Sequence, residues 1–387
     1  MPLGPRPLSL FAVGVLTLSV GCASTAVSTR TSSMWDLGAV DALFSEYTGE
    51  EQAGASVIVV QDGHVVLRRA YGQAQLLAPV PATPESHFRL ASLSKQFTAT
   101  AILLLVQDQR LRLDDRVVDV LPGFPPALRE VRVRHLLQHT SGVWDYEAFV
   151  PDTHPVQVKD RDVLELIART DQTYFPPGTQ VRYSNSGYAL LALIVQQVSG
   201  MPFAQFLRER VFLPTGMATT VAHEEGISTV PHRALGYAPA PSGFVPSDQS
   251  PTSAVLGDGG IYSSIDDLAA WDVAQEEHRI LHADLQSQAW TPPVLPDGSV
   301  STYGFGWFVD DDQGLRRLSH HGETCGFTNA IVKYPERRLT VIVLTNRRGW
   351  TPWRIAQELA DMRLGRQPQT DPQAVHPWPF EAMPNAR

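Results

Sequence analysis

The sequence predicts an α+β fold: one antiparallel sheet flanked by helices, with a mainly helical domain inserted in the middle of the chain. Two observations predict it. β-rich runs lie towards both ends, at 55–69 and 305–344. Helical periodicity, broken by Pro/Gly-rich loops, fills most of the stretch between them. The order is therefore β, helix, helical middle, β, helix, and its simplest assembly is one sheet built from both chain ends. At roughly 150 residues per folding unit, 387 residues leave room for two or three units.

Each element follows from its pattern. Runs 55–60 and 64–69 are rich in Val, and Gln61-Asp62-Gly63 joins them; Asp-Gly is a strong hairpin signal. Residues 87–90 suit a short strand. Residues 92–107 suit a helix, because Phe97, Ala101, Leu104 and Leu105 recur at helical spacing. Helical segments follow at 163–168, 188–198 and 204–211, with no strong strand among them. The β signal returns at 305–309, 317–320, 328–334 and 339–344, and 353–364 is a final amphipathic helix. Domains are expected at 37–120 with 290–365 (the sheet domain) and at 121–289 (the helical domain). Residues 366–387 carry five prolines and read as a tail.

The first 21 residues read as an export signal. Met1 and Arg6 give a basic start, and an apolar run from Leu8 to Val20 follows. That run is shorter than the roughly 20 residues a bilayer requires and fits a signal-peptide core. Leu18-Ser19-Val20-Gly21-Cys22 resembles a bacterial lipobox, in which Cys22 would be lipidated; Ser19 departs from the commoner pattern. Residues 22–36, rich in Ser and Thr, suit a tether. The expected location is the bacterial periplasm or cell envelope, with a lipid anchor in the membrane.

Composition narrows the chemistry. The formal net charge is -9, from 31 Lys+Arg against 40 Asp+Glu, which argues against nucleic acid as a partner. With Cys22 lipidated, Cys325 has no intrachain partner, so no disulfide framework is expected. There is no C-x-x-C, no phosphate-binding glycine loop and no G-x-S-x-G elbow. No cofactor or metal is expected. His278 and His282 are spaced i, i+4, but a solvated helix face accounts for them better than a metal pair. Only three of the 31 basic residues are Lys: Lys95, Lys159 and Lys333. Codon bias explains Lys159 and Lys333 adequately.

Lys95 sits in Ser92-Leu93-Ser94-Lys95, at the start of the expected helix. Residues i and i+3 share a helix face, so a hydroxyl and an amine are presented together. A serine hydroxyl needs a base to become a nucleophile. A lysine can be that base once burial or nearby positive charge lowers its pKa, whereas an arginine stays protonated. Helix capping by Ser92 or Ser94 is the competing explanation. Tyr183-Ser184-Asn185 offers a phenol for proton transfer and an amide to orient both lysine and substrate. His320-His321-Gly322 ends an expected strand, with an imidazole for hydrogen bonding or acid/base work and a glycine that allows close backbone approach.

Together, these three segments resemble the serine β-lactamase and penicillin-binding protein superfamily. The closer likeness is to the class C β-lactamase-related group, with its esterase and D-aminopeptidase members. Residues 88–99, Leu136-Leu137-Gln138-His139-Thr140-Ser141-Gly142, 198–202, 259–263 and 303–307 are similar as well. The likeness runs from about Val40 to Leu364. It implies a β-lactamase/transpeptidase-like fold, with Ser92 as the acylated nucleophile and Lys95 and Tyr183 as proton-transfer partners. By the same resemblance Asn185 orients, and His320, Gly322 and Glu323 contact substrate. The oxyanion hole would be the backbone N–H groups of Ser92 and Glu323.

Two departures bear on substrate. His320 stands where β-lactamases usually carry a lysine, which weakens the grip on a penicillin-type carboxylate. Glu323 replaces a small residue; its side chain either disfavours anionic substrates or points to solvent. The expected function is therefore a serine hydrolase of esters or amides, including D-amino-acid peptides and peptidoglycan-like fragments. Esterase or D,D-peptidase-like action is expected ahead of efficient β-lactam hydrolysis. The alternative is a non-catalytic, lipid-anchored protein that binds cell-wall fragments.

Overall fold

The hairpin signalled by Asp62-Gly63 forms at 55–71 and opens the main sheet. Strands β1 (Ala55–Gln61) and β2 (His64–Tyr71) pair antiparallel, and both turn residues have positive φ, +51° and +77°. That is the geometry an Asp-Gly hairpin turn requires. The computed structural model describes residues 35–349 and 351–367, with Met1, Pro2 and Gly4. The signal core, Cys22, Trp350 and the proline-rich end of the tail lie outside the described residues. The chain divides into two compact units, Met1–Asp36 and Leu37–Arg387, and everything below concerns the second.

The remaining main strands come from the far end of the chain: β3 (Phe308–Asp312), β4 (Leu315–Thr324), β5 (Phe327–Tyr334) and β6 (Leu339–Thr345). The sheet runs β3-β4-β5-β6-β1-β2, with every pair antiparallel. β5 and β6 are buried along their whole length, as central strands covered on both faces are. Helices α1 (Lys95–Gln107), α2 (Asn185–Ser199), α3 (Ile265–Glu276) and α4 (Thr351–Leu364) are the principal ones. α4 packs on β5 and β6, while α3 packs on β1 and β6. The α+β prediction, a sheet from both chain ends with helices between, is borne out.

Local differences have local causes. The expected strand at 305–309 begins only at Phe308, because Gly306 adopts φ +76° and turns the chain first. The helix expected at 204–211 is a short α-helix, Phe203–Leu207, followed by a π-helical turn, Arg208–Phe212. The middle of the chain also contains short strands that its periodicity did not show, among them Tyr237–Ala240 and Ile261–Ser263. At two to four residues such strands are too short for an alternating pattern to stand out. His278 and His282 do not share a helix face: His278 has φ +51° after α3, and His282 precedes the helix Ala283–Ala289.

Lys333 is a structural residue with a stated job. It is buried on β5, and its Nζ lies 2.7 Å from Asp272 and 2.6 Å from Glu276 of α3. Thr340 donates to the same Asp272 at 2.6 Å. An arginine would carry the charge on a larger planar group, whereas the compact ammonium fits between two carboxylates. The ammonium ties α3 to the sheet, and losing it would leave Asp272 with the Thr340 bond and Glu276 with Arg338 at 3.6 Å.

Candidate active site

Ser92 lies in the 3-10 turn Ala91–Ser94, which runs directly into α1. From 91 to 105 every residue is buried except Ser92. Ala91 before it has φ +52°, a conformation uncommon for a residue with a side chain and often found at functional turns. α1 itself is buried on all sides, as the central helix of a large core must be. Ser92 therefore stands on rigid support at the floor of a cleft. The cleft is lined by Arg89, Asn185, Thr252, Asp258, Glu323 and Thr324, among others.

Lys95 is fully buried beneath the serine. Its Nζ bonds Ser92 Oγ at 2.9 Å, Asn185 Oδ1 at 2.8 Å and the Asp258 carbonyl at 3.0 Å. Burial pulls the ammonium down from 10.5 to about 8, against the opposing pull of Asp258, Glu147 and Asp145. The partners fix what a neutral amine must do. It has two N–H donors and one lone pair, and both Asn185 Oδ1 and the Asp258 carbonyl can only accept. The lone pair is thus left for the Ser92 hydroxyl.

Tyr183 hydrogen-bonds the Ser92 hydroxyl, and its ring centroid lies 4.9 Å from Lys95 Nζ. Burial holds its phenol well above the ordinary value of 10, so it is neutral. A wall of rings stands behind it. His139 lies 4.1 Å from the Tyr183 ring and 4.4 Å from Tyr303. His320 belongs to this wall. Its Nδ1 bonds the His321 carbonyl at 2.6 Å and its Nε2 meets the Tyr303 hydroxyl at 3.0 Å. A carbonyl cannot donate, so Nδ1 carries the proton and Nε2 accepts from the tyrosine. Burial, then His321 and Lys95, hold this imidazole well below 6.5 and neutral. With both nitrogens engaged, His320 presents no free polar atom to the cleft.

Gly322 is where β4 crosses the nucleophile segment. A Cβ there would stand 2.1 Å from the Leu90 carbonyl oxygen and 3.1 Å from the Ser92 nitrogen. Only glycine permits this approach, which lays the 322–323 backbone beside the Ser92 amide. Glu323 does not point freely to solvent: Arg348 Nε holds its carboxylate at 3.1 Å. Cys325 is partly exposed.

The sequence reading missed a group of acids around Lys95. Asp145 accepts from the Glu147 N–H at 3.0 Å and from the Asn185 N–H at 2.7 Å, capping α2 from another loop. Glu147 accepts from Asn185 Nδ2 at 3.0 Å, which turns Oδ1 of that amide towards Lys95. Asp258 accepts from the Tyr146 hydroxyl at 2.9 Å, and burial pushes its acid up to about 7. The one available signal was acids amid glycine and aromatics, in Asp145-Tyr146-Glu147 and Gly257-Asp258-Gly259. Among the described residues, no three His, Cys, Asp or Glu are grouped to hold a metal.

Comparison with known proteins agrees with this geometry. A family profile described as Beta-lactamase matches residues 40–363. Penicillin-binding protein 4* of Bacillus subtilis strain 168 is 32% identical over 321 residues, covering 79% of this chain and 70% of that protein. D-aminopeptidase of Brucella canis is 30% identical over 328 residues, covering 80% of this chain but only 59% of that longer protein. Among solved structures, D-amino acid amidase from Ochrobactrum anthropi SV3, complexed with L-phenylalanine amide, superposes with a TM-score of 0.72. It is 25% identical and covers 85% of this chain and 96% of its own. The sheet built from both chain ends, the serine–lysine turn beneath it and the match along 40–363 agree: the chain belongs to the Beta-lactamase family, which it shares with hydrolases such as these.

Proposed function

We propose that the protein is a serine hydrolase that forms an acyl-enzyme on Ser92, with esters or amides of D-amino acids as its substrate class. The observation that carries this is the Lys95 bonding pattern. Two acceptors take its two N–H bonds, which leaves its lone pair for the Ser92 hydroxyl. Lys95 takes the serine proton as Oγ attacks the substrate carbonyl. The backbone N–H groups of Ser92 and Glu323 stabilise the oxyanion. Tyr183, neutral and bonded to the same hydroxyl, gives its proton to the leaving group and regains one from the protonated Lys95. Asn185 holds the lysine in place, while His320 supports Tyr183 from behind. Water then releases the acyl group by the reverse proton path.

The substrate class rests on the relatives named above and on the third segment. A neutral, fully bonded His320 offers no cation where β-lactamases hold the penicillin carboxylate, so esters and D-amino-acid amides are expected ahead of β-lactams. The test is active-site labelling. A fluorophosphonate probe is expected to add once per chain, with the adduct mapped to Ser92 by peptide mass spectrometry. An unlabelled protein, or an adduct elsewhere, overturns the acyl-enzyme reading and favours a non-catalytic binding protein.

Export and lipidation at Cys22 are part of the same proposal and are supported by the sequence of residues 8–22 alone. Mass spectrometry of the mature N-terminus is expected to find a diacylglyceryl group on Cys22 as the first residue. An unmodified N-terminus downstream of Cys22 rules this out.

A further inference from the structure

Asp160 is a buried acid that does not line the Ser92 cleft. It opens the short helix Asp160–Ile167 and is 8% exposed. No ion pair among the described residues includes it. Its two carboxylate oxygens divide between two backbone amides: Oδ2 accepts from the Leu256 N–H at 3.0 Å and Oδ1 from the Gly257 N–H at 2.9 Å. These amides open the four-residue helical turn Leu256–Gly259. Burial pushes the acid up to about 6, against the pull of the two N–H bonds. A charge in such surroundings costs free energy that a neutral cap would avoid. A neutral amide does not replace it, because asparagine has one acceptor oxygen and its NH2 would meet the second N–H donor head on.

The turn gripped by Asp160 carries a partner of Lys95. The Asp258 carbonyl accepts from Lys95 Nζ at 3.0 Å and is one of the two acceptors that leave the lysine lone pair for Ser92. The rest of the turn is tightly packed. A Cβ on Gly257 would stand 2.2 Å from the Tyr188 carbonyl oxygen and 2.8 Å from the Ala192 Cβ, both on α2. Thr98 of α1 donates to the Gly257 carbonyl at 2.7 Å. Before Asp160, Gln157 Nε2 donates to the Ser250 carbonyl at 3.1 Å and the Val158 N–H to the Pro251 carbonyl at 2.8 Å. Residues 157–160 thus brace 250–257, and within that brace Asp160 is the residue that reaches the amides beside Asp258.

We propose that Asp160 is a positioning residue for Lys95: by gripping the 256 and 257 amides it fixes the Asp258 carbonyl where it takes one lysine N–H, so that the lysine lone pair points at Ser92. This rests on Ser92 being the acylated nucleophile and Lys95 its base. With the grip gone, the carbonyl swings off the lysine and an N–H of the neutral amine competes for Ser92 Oγ. The amine then spends less of its time as an acceptor for the serine proton. Acylation and deacylation both pass through Lys95, so both slow together while substrate binding is kept.

The test compares Asp160→Asn, which leaves one amide of the turn without an acceptor, with Gln157→Ala, which removes bonds of the same brace but none at the turn. On a p-nitrophenyl ester of a D-amino acid, Asp160→Asn is expected to lower kcat by about tenfold, the equivalent of one hydrogen bond, with KM within about twofold of wild type. The rate of fluorophosphonate addition to Ser92 is expected to fall by the same factor. Gln157→Ala is expected to keep both rates within about twofold. Asp160→Ser, shorter but still an acceptor, repeats the comparison if the amide disturbs the fold, which a thermal melt reports. Full kcat in folded Asp160→Asn, a rise in KM that accounts for the loss, or an equal loss in Gln157→Ala overturns the proposal. Failure of the acyl-enzyme reading shows instead as absent Ser92 labelling in the wild-type protein.

Discussion

Ser92→Ala is expected to lower kcat/KM on a p-nitrophenyl ester of a D-amino acid by about 10^4-fold or more, the scale on which nucleophile removal acts. The folded state should hardly notice. Ser92 is the one residue between 91 and 105 that is not buried, so its hydroxyl contributes little to packing. Lys95 keeps two of its three bonds, to Asn185 Oδ1 and the Asp258 carbonyl. The melting temperature should therefore stay within a few degrees of wild type. This separation of activity from stability is the signature of a reacting group. The measurement pairs a steady-state assay with a thermal melt. More than about one part in a hundred of wild-type activity surviving in Ser92→Ala would show that the ester is cleaved by another route.

Lys95→Arg is expected to remove activity by about 10^2- to 10^4-fold, the usual contribution of a general base, although the charge is kept. Arginine never offers a lone pair in a protein. Its planar fork also cannot reproduce three bonds diverging from a single nitrogen. The pH profile supplies the companion measurement. Only neutral Lys95 accepts the serine proton, and its pKa is lowered to about 8, so protonated lysine dominates below that pH. The wild-type kcat/KM on a neutral ester should rise with pH and level off above about 8. The midpoint belongs to the cluster, because Asp258, Glu147 and Asp145 face the same amine while Tyr183 and His139 lie against it. A flat profile from pH 6 to 9, or Lys95→Arg within tenfold of wild type, contradicts the general-base role.

The lysines show how far sequence reading reaches. Lys95 was legible because its partner lies three residues away, and helical geometry ties the two together whatever the rest of the fold does. Lys333 was not legible. It looked like composition, yet it is buried between Asp272 and Glu276, about sixty residues away in sequence. The cleft divides in the same way. Tyr183, Asn185 and Gly322 were found because they sit in short segments with a recognisable likeness. Asp145, Glu147 and Asp258 were missed because they reach Lys95 and Asn185 from a loop and two four-residue helical turns, and such short segments have no period to read.

The sequence by itself determined the antiparallel sheet, the hairpin at Asp62-Gly63, the buried helix after Ser92 and the serine–lysine pair. Each depends on contacts within a few residues or on a repeating pattern, and local geometry is written into local sequence. Only the tertiary structure decided how the side chains are charged and which are free. His320 became a neutral, fully bonded support because Tyr303 and the His321 carbonyl both reach it. Glu323 became one half of an ion pair because Arg348 lies beside it. Lys95 became a poised amine because folding removed its water and gave it two acceptors from distant segments. Protonation and availability depend on everything that surrounds a group in space, and that is settled only when remote parts of the chain meet.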